Sequence, residues 1–333
     1  MQKRESAKNT KLLALILVFI PLSFAAGYFF EKMTEVEEIG FFKENHQKGH
    51  QLISPLIDCE ENTSKHFRSF ILKIKKDIKK LIPNNNKTIV SVYFRDLNNG
   101  PNFGLNQNEK FAPASLTKIP FLMAMLKYAE EDSGLLDKKI KSPYDGKATY
   151  TYGYNRENKI ERNQQYSIKN LLERMIIHSD NVATDIIIKT LEELSEKTKK
   201  IEYREVFNIL SIKEHNLQTN PYIMVKDIAA FFRILYNASH LNRKYSEEAL
   251  RLLTKTNFNV GLTKYLPKDV VVAHKFGEIG GDVEYTNEAH DCGIIYSGDN
   301  PYILCVMTRG GSYEQLNEII AKISKLIYER VNL

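Results

Sequence analysis

At 333 residues, with 43% hydrophobic and 26% charged side chains, the chain suffices for one large domain or two small ones, which excludes a disordered or fibrous protein. Sixteen glycines and ten prolines exclude a collagenous or low-complexity chain, and three cysteines exclude a disulfide scaffold or a Cys-rich zinc module. The net charge of +6 is uneven: four bases and one acid lie in the first 30 residues, leaving 43 bases against 40 acids beyond them, a balance that removes the case for nucleic-acid binding.

Residues 12–30, LLALILVFIPLSFAAGYFF, form a 19-residue run without a charged side chain, long enough to cross a bilayer as a helix. Lys3, Arg4, Lys8 and Lys11 precede it against Glu5, whereas Glu31, Glu35, Glu37 and Glu38 follow it with Lys32 among them. The positive-inside rule therefore places residues 1–11 in the cytoplasm and everything after residue 30 outside. Ser23-Phe24-Ala25 also has the small residues of a signal-peptidase site, and cleavage there would release the protein. The apolar run continues past that site through Tyr28, Phe29 and Phe30, which favours an uncleaved transmembrane anchor over 1–30. Residues 31–61 are acidic, carry the short apolar patch LISPLID and read as a stalk that docks locally on the body. The folded domain is expected over 62–333.

A helix is expected at about 64–81, its isoleucines packed on the body and its lysines, Lys73 to Lys80, solvated. The β-branched and aromatic run 88–96 and a second strand near 102–105 are joined by a turn at Asn98-Asn99-Gly100. Residues 115–130 form an almost wholly apolar helix with no solvent face, which should run through the centre of the domain. Helices follow at about 167–177, 182–199, 222–237 and 246–255. Strands then return in DVVVAHKF, AHDCGIIY and PYILCVMT, and a final helix spans 313–331. Two strands early, three late and helices between them predict an α+β fold: a five-stranded antiparallel sheet flanked by helices, with an inserted helical subdomain. If Gly298-Asp299 centre a tight turn, Cys292 faces Cys305, as a cross-strand disulfide or as two buried thiols. Cys59 has no visible partner.

Three short motifs carry the chemistry. Ser115-Leu116-Thr117-Lys118 opens the central helix, and it is the only Ser-x-x-Lys among 18 serines. Residues i and i+3 share a helix face, so a lysine whose ammonium is disfavoured by burial can take the proton of the serine. Ser179-Asp180-Asn181 follows a helix and suits an N-cap as well as a site. His274-Lys275-Phe276-Gly277 ends a strand, with a lysine that reads either as solvated or as functional, and a glycine that permits a ligand to approach the backbone.

Together and in this order the motifs resemble the Ser-x-x-Lys, Ser-Asp-Asn and Lys-Thr-Gly set of the penicillin-recognising serine enzymes, the class A β-lactamases and penicillin-binding proteins. The separations of 64 residues from Ser115 to Ser179 and 96 from Ser179 to Lys275 are similar to those of class A β-lactamases, as are the runs KIPFLMAML and SDNVATDIII. The resemblance covers about residues 64–333. It implies that Ser115 is the acylated nucleophile and Lys118 its base. It further implies that Ser179 relays a proton to the leaving nitrogen, Asn181 holds the substrate's amide side chain, and Asp180 fixes their loop. Lys275 would supply positive charge for a substrate carboxylate and for the relay, beside Gly277. The backbone N–H groups of Ser115 and Glu278 would form the oxyanion hole.

The implied substrate is a small-molecule β-lactam or a peptidoglycan-like acyl-D-Ala-D-Ala end, with no metal or cofactor. Two departures stand out. Phe276 replaces the Thr or Ser of the family, removing a hydroxyl that would bind the substrate carboxylate. Glu214, 35 residues after Ser179, stands about where the family's deacylating glutamate is expected, with six residues between it and Pro221. It reads as that base or as a solvated surface glutamate. The expected function is a membrane-anchored, β-lactamase-like serine hydrolase with its catalytic domain outside the cell. The alternatives are a D-Ala-D-Ala carboxypeptidase or other wall peptidase, and a penicillin-binding sensor that never releases its acyl group.

Overall fold

The computed structural model describes residues 42–47, 49–61, 65–84, 87–98, 101–144, 159–199, 206, 222–280 and 286–332. The predicted anchor at 12–30 and Glu214 lie outside these residues. Among the described residues no helix is long and apolar enough to cross a membrane.

An antiparallel pair, β1 (Phe42–His46) and β2 (Leu56–Glu61), occupies much of the segment expected to be a stalk. Its connecting loop supplies the predicted local docking: Leu52 and Ile53 are buried in the core, and the Tyr296 hydroxyl donates to the Leu52 carbonyl at 2.8 Å. The backbone N–H groups of Leu52 and Ile53 both donate to Glu247 Oε2 at 3.1 Å. These bonds hold the loop against the body.

Helix α1 (Lys65–Leu81) buries Ile71, Ile74 and Ile78, the i, i+3, i+7 stripe of an amphipathic helix. Strands β3 (Ile89–Asp96) and β4 (Asn102–Leu105) follow, then the two-residue β5 (Lys110–Phe111). A 3-10 turn at Ala114–Thr117 leads into α2 (Lys118–Glu131). The helical block comprises α2, α3 (Ile168–Ile177), α4 (Asn181–Thr198), α5 (Val225–Tyr236) and α6 (Arg243–Leu253). The chain closes with β6 (Val271–Ile279), β7 (Glu288–Tyr296), β8 (Tyr302–Arg309) and α7 (Tyr313–Val331).

The main sheet has five antiparallel strands in the order β4-β3-β8-β7-β6, as the strand count predicted. Helix α7 packs on one face, with α1 against it. Ala273, Cys292, Ile294, Ile303, Cys305 and Met307 on the other face share one core with the helical block. Cys292 lies opposite Cys305, and the two are disulfide-bonded. Their facing positions follow from the tight turn, and of the two readings of the pair the bridge is the one the structure holds.

Helix α2 is enclosed by this arrangement. Ile119, Leu122, Met123, Ala124 and Met125 are fully buried, each large side chain contributing roughly 1.5–3 kcal/mol. A helix held on all sides gives its first turn a fixed position, and that turn carries Lys118.

Candidate active site

The approach to Ser115 is clamped by the sheet. Glu288 and His290, two residues apart and therefore on one face of β7, grip the backbone of Ala112 from both sides. The Ala112 N–H donates to Glu288 Oε2 at 2.8 Å, and His290 Nε2 lies 2.9 Å from the Ala112 carbonyl. The Thr308 N–H donates to His290 Nδ1 at 3.3 Å, which leaves Nε2 as the protonated nitrogen that faces Ala112. Arg309 Nε donates to the other oxygen of Glu288 at 2.6 Å. None of these three residues was foreseen. Their signal in the sequence was faint: ionisable residues at alternate positions of the apolar strand EAHDCGIIY, where buried polar groups need partners.

Pro113 then presets the turn, Ala114 takes a left-handed φ of +48°, and Ser115 emerges half-buried at the mouth of α2. A non-glycine residue in that region stores strain, and such strain gathers at sites where geometry must be held.

Lys118 is 3% exposed and reaches four oxygens. Its Nζ lies 3.0 Å from Ser115 Oγ and 3.0 Å from Ser179 Oγ, and it donates to the Ser179 carbonyl at 2.8 Å and Asn181 Oδ1 at 2.7 Å. The last two atoms can only accept. They take two N–H bonds, and the third valence of the nitrogen faces the two hydroxyls. A neutral amine offers its lone pair there, able to accept the Ser115 proton. Burial brings the Lys118 pKa down to about 7, against the opposing pull of Asp180 and Asp185.

The predicted Ser-Asp-Asn element closes this cluster. Ser179 has a φ of +54° and is 3% exposed. Asp180 caps α4, its Oδ1 accepting from the N–H groups of Val182 at 2.9 Å and Ala183 at 3.1 Å. The N-cap and site readings of the tripeptide therefore describe one object: the cap holds the bend that turns the flanking Ser179 and Asn181 toward Lys118.

Strand β6, at the edge of the sheet, forms the opposite wall. Lys275 is fully buried, not solvated, and its Nζ donates to Ser179 Oγ at 3.0 Å and to the Phe276 carbonyl at 2.9 Å. Burial, and then the neighbouring Lys118, push its pKa well below the ordinary lysine value. Behind it, His274 Nδ1 meets Asp291 Oδ1 at 2.9 Å in a buried pair. The expected reason for Gly277 also changes. A Cβ there would lie 3.0 Å from Ser115 N and 3.1 Å from the Ala114 Cβ, so the missing side chain lets the strand approach the serine turn itself. Glu278 follows, partly buried, its Oε1 accepting from Asn317 Nδ2 at 2.8 Å, and burial raises its pKa.

Ser115, Lys118, Ser179, Asn181, Lys275 and Gly277 thus converge, though they span more than 160 positions in sequence. The resulting chain of polar atoms, Ser115–Lys118–Ser179–Lys275, can strip a proton from one hydroxyl and deliver it through another. The Glu214 assignment has no described geometry.

The model of the beta-lactamase enzyme family matches residues 73–331. The β-lactamase VEB-1 of Pseudomonas aeruginosa is 23% identical over 238 residues, which cover 67% of this chain and 79% of that protein. Among solved structures, the TLA-3 extended-spectrum β-lactamase superposes with a TM-score of 0.67 at 18% identity, covering 77% of this chain and 98% of its own. PBP-A superposes with a TM-score of 0.63 at 22% identity, over 77% and 95% respectively. At these identities the superpositions establish the shared fold.

Proposed function

The chain belongs to the beta-lactamase enzyme family of β-lactamase-like serine hydrolases, and from that premise we propose that it hydrolyses β-lactam, or related acyl-D-Ala-like, amide bonds through an acyl-enzyme on Ser115. The observation that carries this reading is the position of Lys118, buried and 3.0 Å from each of the Ser115 and Ser179 hydroxyls. Neutral Lys118 takes the Ser115 proton as Oγ attacks the carbonyl carbon. The developing oxyanion is received by the backbone N–H groups of Ser115 and Glu278. The carbon–nitrogen bond breaks, and the proton on Lys118 passes through Ser179, next to Lys275, to the leaving nitrogen. Asn181 orients the donor's amide side chain. Glu214 then draws a proton from the water that adds to the ester carbon and returns it to Ser115 Oγ as the acyl–oxygen bond breaks, which frees the acid and restores both residues.

The apolar run at 12–30 and its flanking charges support a single-pass anchor that holds this domain on the outer side of the membrane, where wall peptides and antibiotics are met. The full chain in detergent, mixed with a chromogenic β-lactam, tests the reading. Steady turnover is expected, lost in Ser115→Ala and stalled at the acyl-enzyme in Glu214→Gln. A stoichiometric adduct that persists in the unaltered protein contradicts the hydrolase reading in favour of a penicillin-binding sensor.

A further inference from the structure

The two N–H groups that receive the oxyanion in the proposed reaction come from different elements. Ser115 contributes one from the turn that opens α2 and Glu278 the other from β6, so the hole is only as well formed as the distance between turn and strand is fixed. The bonds inside the turn, from the Leu116 N–H to the Pro113 carbonyl at 3.1 Å and from Thr117 Oγ1 to the Ala114 carbonyl at 3.0 Å, give its shape without tying it to the sheet. Its tie to the sheet lies just before Pro113, at Ala112.

Residues directly opposite on antiparallel strands share a face, and His290 of β7 lies opposite Gly277 of β6. That face meets the turn, since a Cβ on Gly277 would lie 3.0 Å from Ser115 N and 3.3 Å from the Pro113 carbonyl oxygen. Glu288, two positions before His290, and Arg309, opposite Glu288 on β8, extend the same face. The Ala112 N–H donates to Glu288 Oε2 at 2.8 Å and His290 Nε2 donates to the Ala112 carbonyl at 2.9 Å, so one strand holds both polar atoms of one backbone residue. Behind them, Arg309 Nε donates to Glu288 Oε1 at 2.6 Å and Nη2 donates to the Lys110 carbonyl. The Phe111 ring completes the assembly, its centroid 5.5 Å from that of the His290 ring and 4.8 Å from the Arg309 guanidinium. Glu288, His290 and Phe111 are buried, and hydrogen bonds made in such surroundings hold more firmly than in water.

We propose that Glu288 and His290 are positioning residues that set the span of the oxyanion hole. Strand β7 pairs with β6 along its backbone and grips the serine turn with its side chains, so a single strand fixes both halves of the hole. A grip on the N–H and the carbonyl of one residue resists rotation of the turn as well as its translation. The proposal rests on the acyl-enzyme reading above and adds to it two groups that act through the backbone and do not touch the donor.

Stopped-flow with a chromogenic β-lactam on the full chain in detergent separates the limiting acylation rate from the binding of the donor. His290→Leu, which cannot donate to Ala112, should lower that rate about ten- to a hundredfold and leave binding within about threefold. His290→Gln restores a donor at similar reach and should recover most of the rate. Phenylboronic acid supplies a second readout. Ser115 Oγ adds to its boron, the hydroxyl proton passes to Lys118, and the four-coordinate anion so formed sets one boron hydroxyl in the oxyanion hole. Its affinity should fall in His290→Leu by about the same factor as the acylation rate. A residue that merely stabilised the fold would lower the melting temperature without moving these two quantities together. Acylation unchanged in His290→Leu, lost equally in His290→Gln, lost without a matching loss of boronate affinity, or weakened through donor binding overturns the proposal and leaves the acyl-enzyme standing. Should His290→Leu not fold, Glu288→Asp decides by the same pair of readouts, because it keeps the charge but falls one methylene short of Ala112 and Arg309. No acylation in the unaltered protein overturns the acyl-enzyme reading itself and this inference with it.

Discussion

The two walls of the site differ in kind. The helical wall, built from the 3-10 turn, α2 and the cap of α4, keeps every member of its motifs and links them by bonds of 2.7–3.0 Å around Lys118. The strand wall, β6, turns Lys275 and Gly277 toward the serine turn and sends the Phe276 and Glu278 side chains to its opposite face, where they meet Phe258 and Asn317. The difference teaches that a helix turn and a cap can turn several neighbouring polar groups to one point, whereas a strand, alternating in direction, lends the site only every second residue.

The comparison breaks most sharply at Lys118. Lys118→Ala removes the base and should lower the acylation rate about 10²- to 10⁴-fold by stopped-flow with a chromogenic donor. The same residue sets the pH profile. A lysine is a base only above its pKa, so acylation should rise with pH, level off above about 7 and fall about tenfold per unit below that value. A profile flat from pH 5 to 9 would remove Lys118 as the base.

A smaller effect is expected where the walls touch. In Gly277→Ala the added methyl meets Ser115 N at 3.0 Å, so strand and turn must part by a few tenths of an ångström. Displacement on this scale should lower acylation about ten- to a hundredfold without altering the far-UV circular dichroism spectrum. An unchanged rate would show that the strand wall is not in register with the serine. The smallest effect on chemistry belongs to the disulfide. Replacing Cys292 and Cys305 by alanine should cost about 3 kcal/mol of stability in thermal melts. Because Cys292 stands opposite Lys275 in the neighbouring strand, acylation should fall too, but less than in Gly277→Ala.

Much of this was legible in residue order. The apolar run after Lys118 predicted a buried helix, and the turn at Gly298-Asp299 placed Cys292 opposite Cys305, as the register has it. Local periodicity carries that kind of information. It does not carry pairings between distant short segments. Lys110–Phe111 pairs with Ile223–Met224, and Lys139–Lys141 with Gln165–Ser167, in runs of two or three residues that are too short to show a period. The clamp of Glu288 and His290 on Ala112 bridges more than 170 positions, and nothing local to Ala112 announces it. Lys275 was harder still. A lysine at a strand end reads as solvated, and its burial becomes apparent only when α4 brings Ser179 against it.

The central claim is that Ser115 forms a covalent acyl-enzyme with help from Lys118. Intact mass of the full-length Glu214→Gln variant, in which the acyl group is expected to stay on Ser115, after seconds of exposure to a chromogenic β-lactam tests it most directly. The account predicts one added donor mass, mapped by peptide digestion to Ser115, absent in Ser115→Ala and strongly slowed in Lys118→Ala. A donor adduct on any other residue, or the same adduct formed at the same rate in Lys118→Ala, would contradict it.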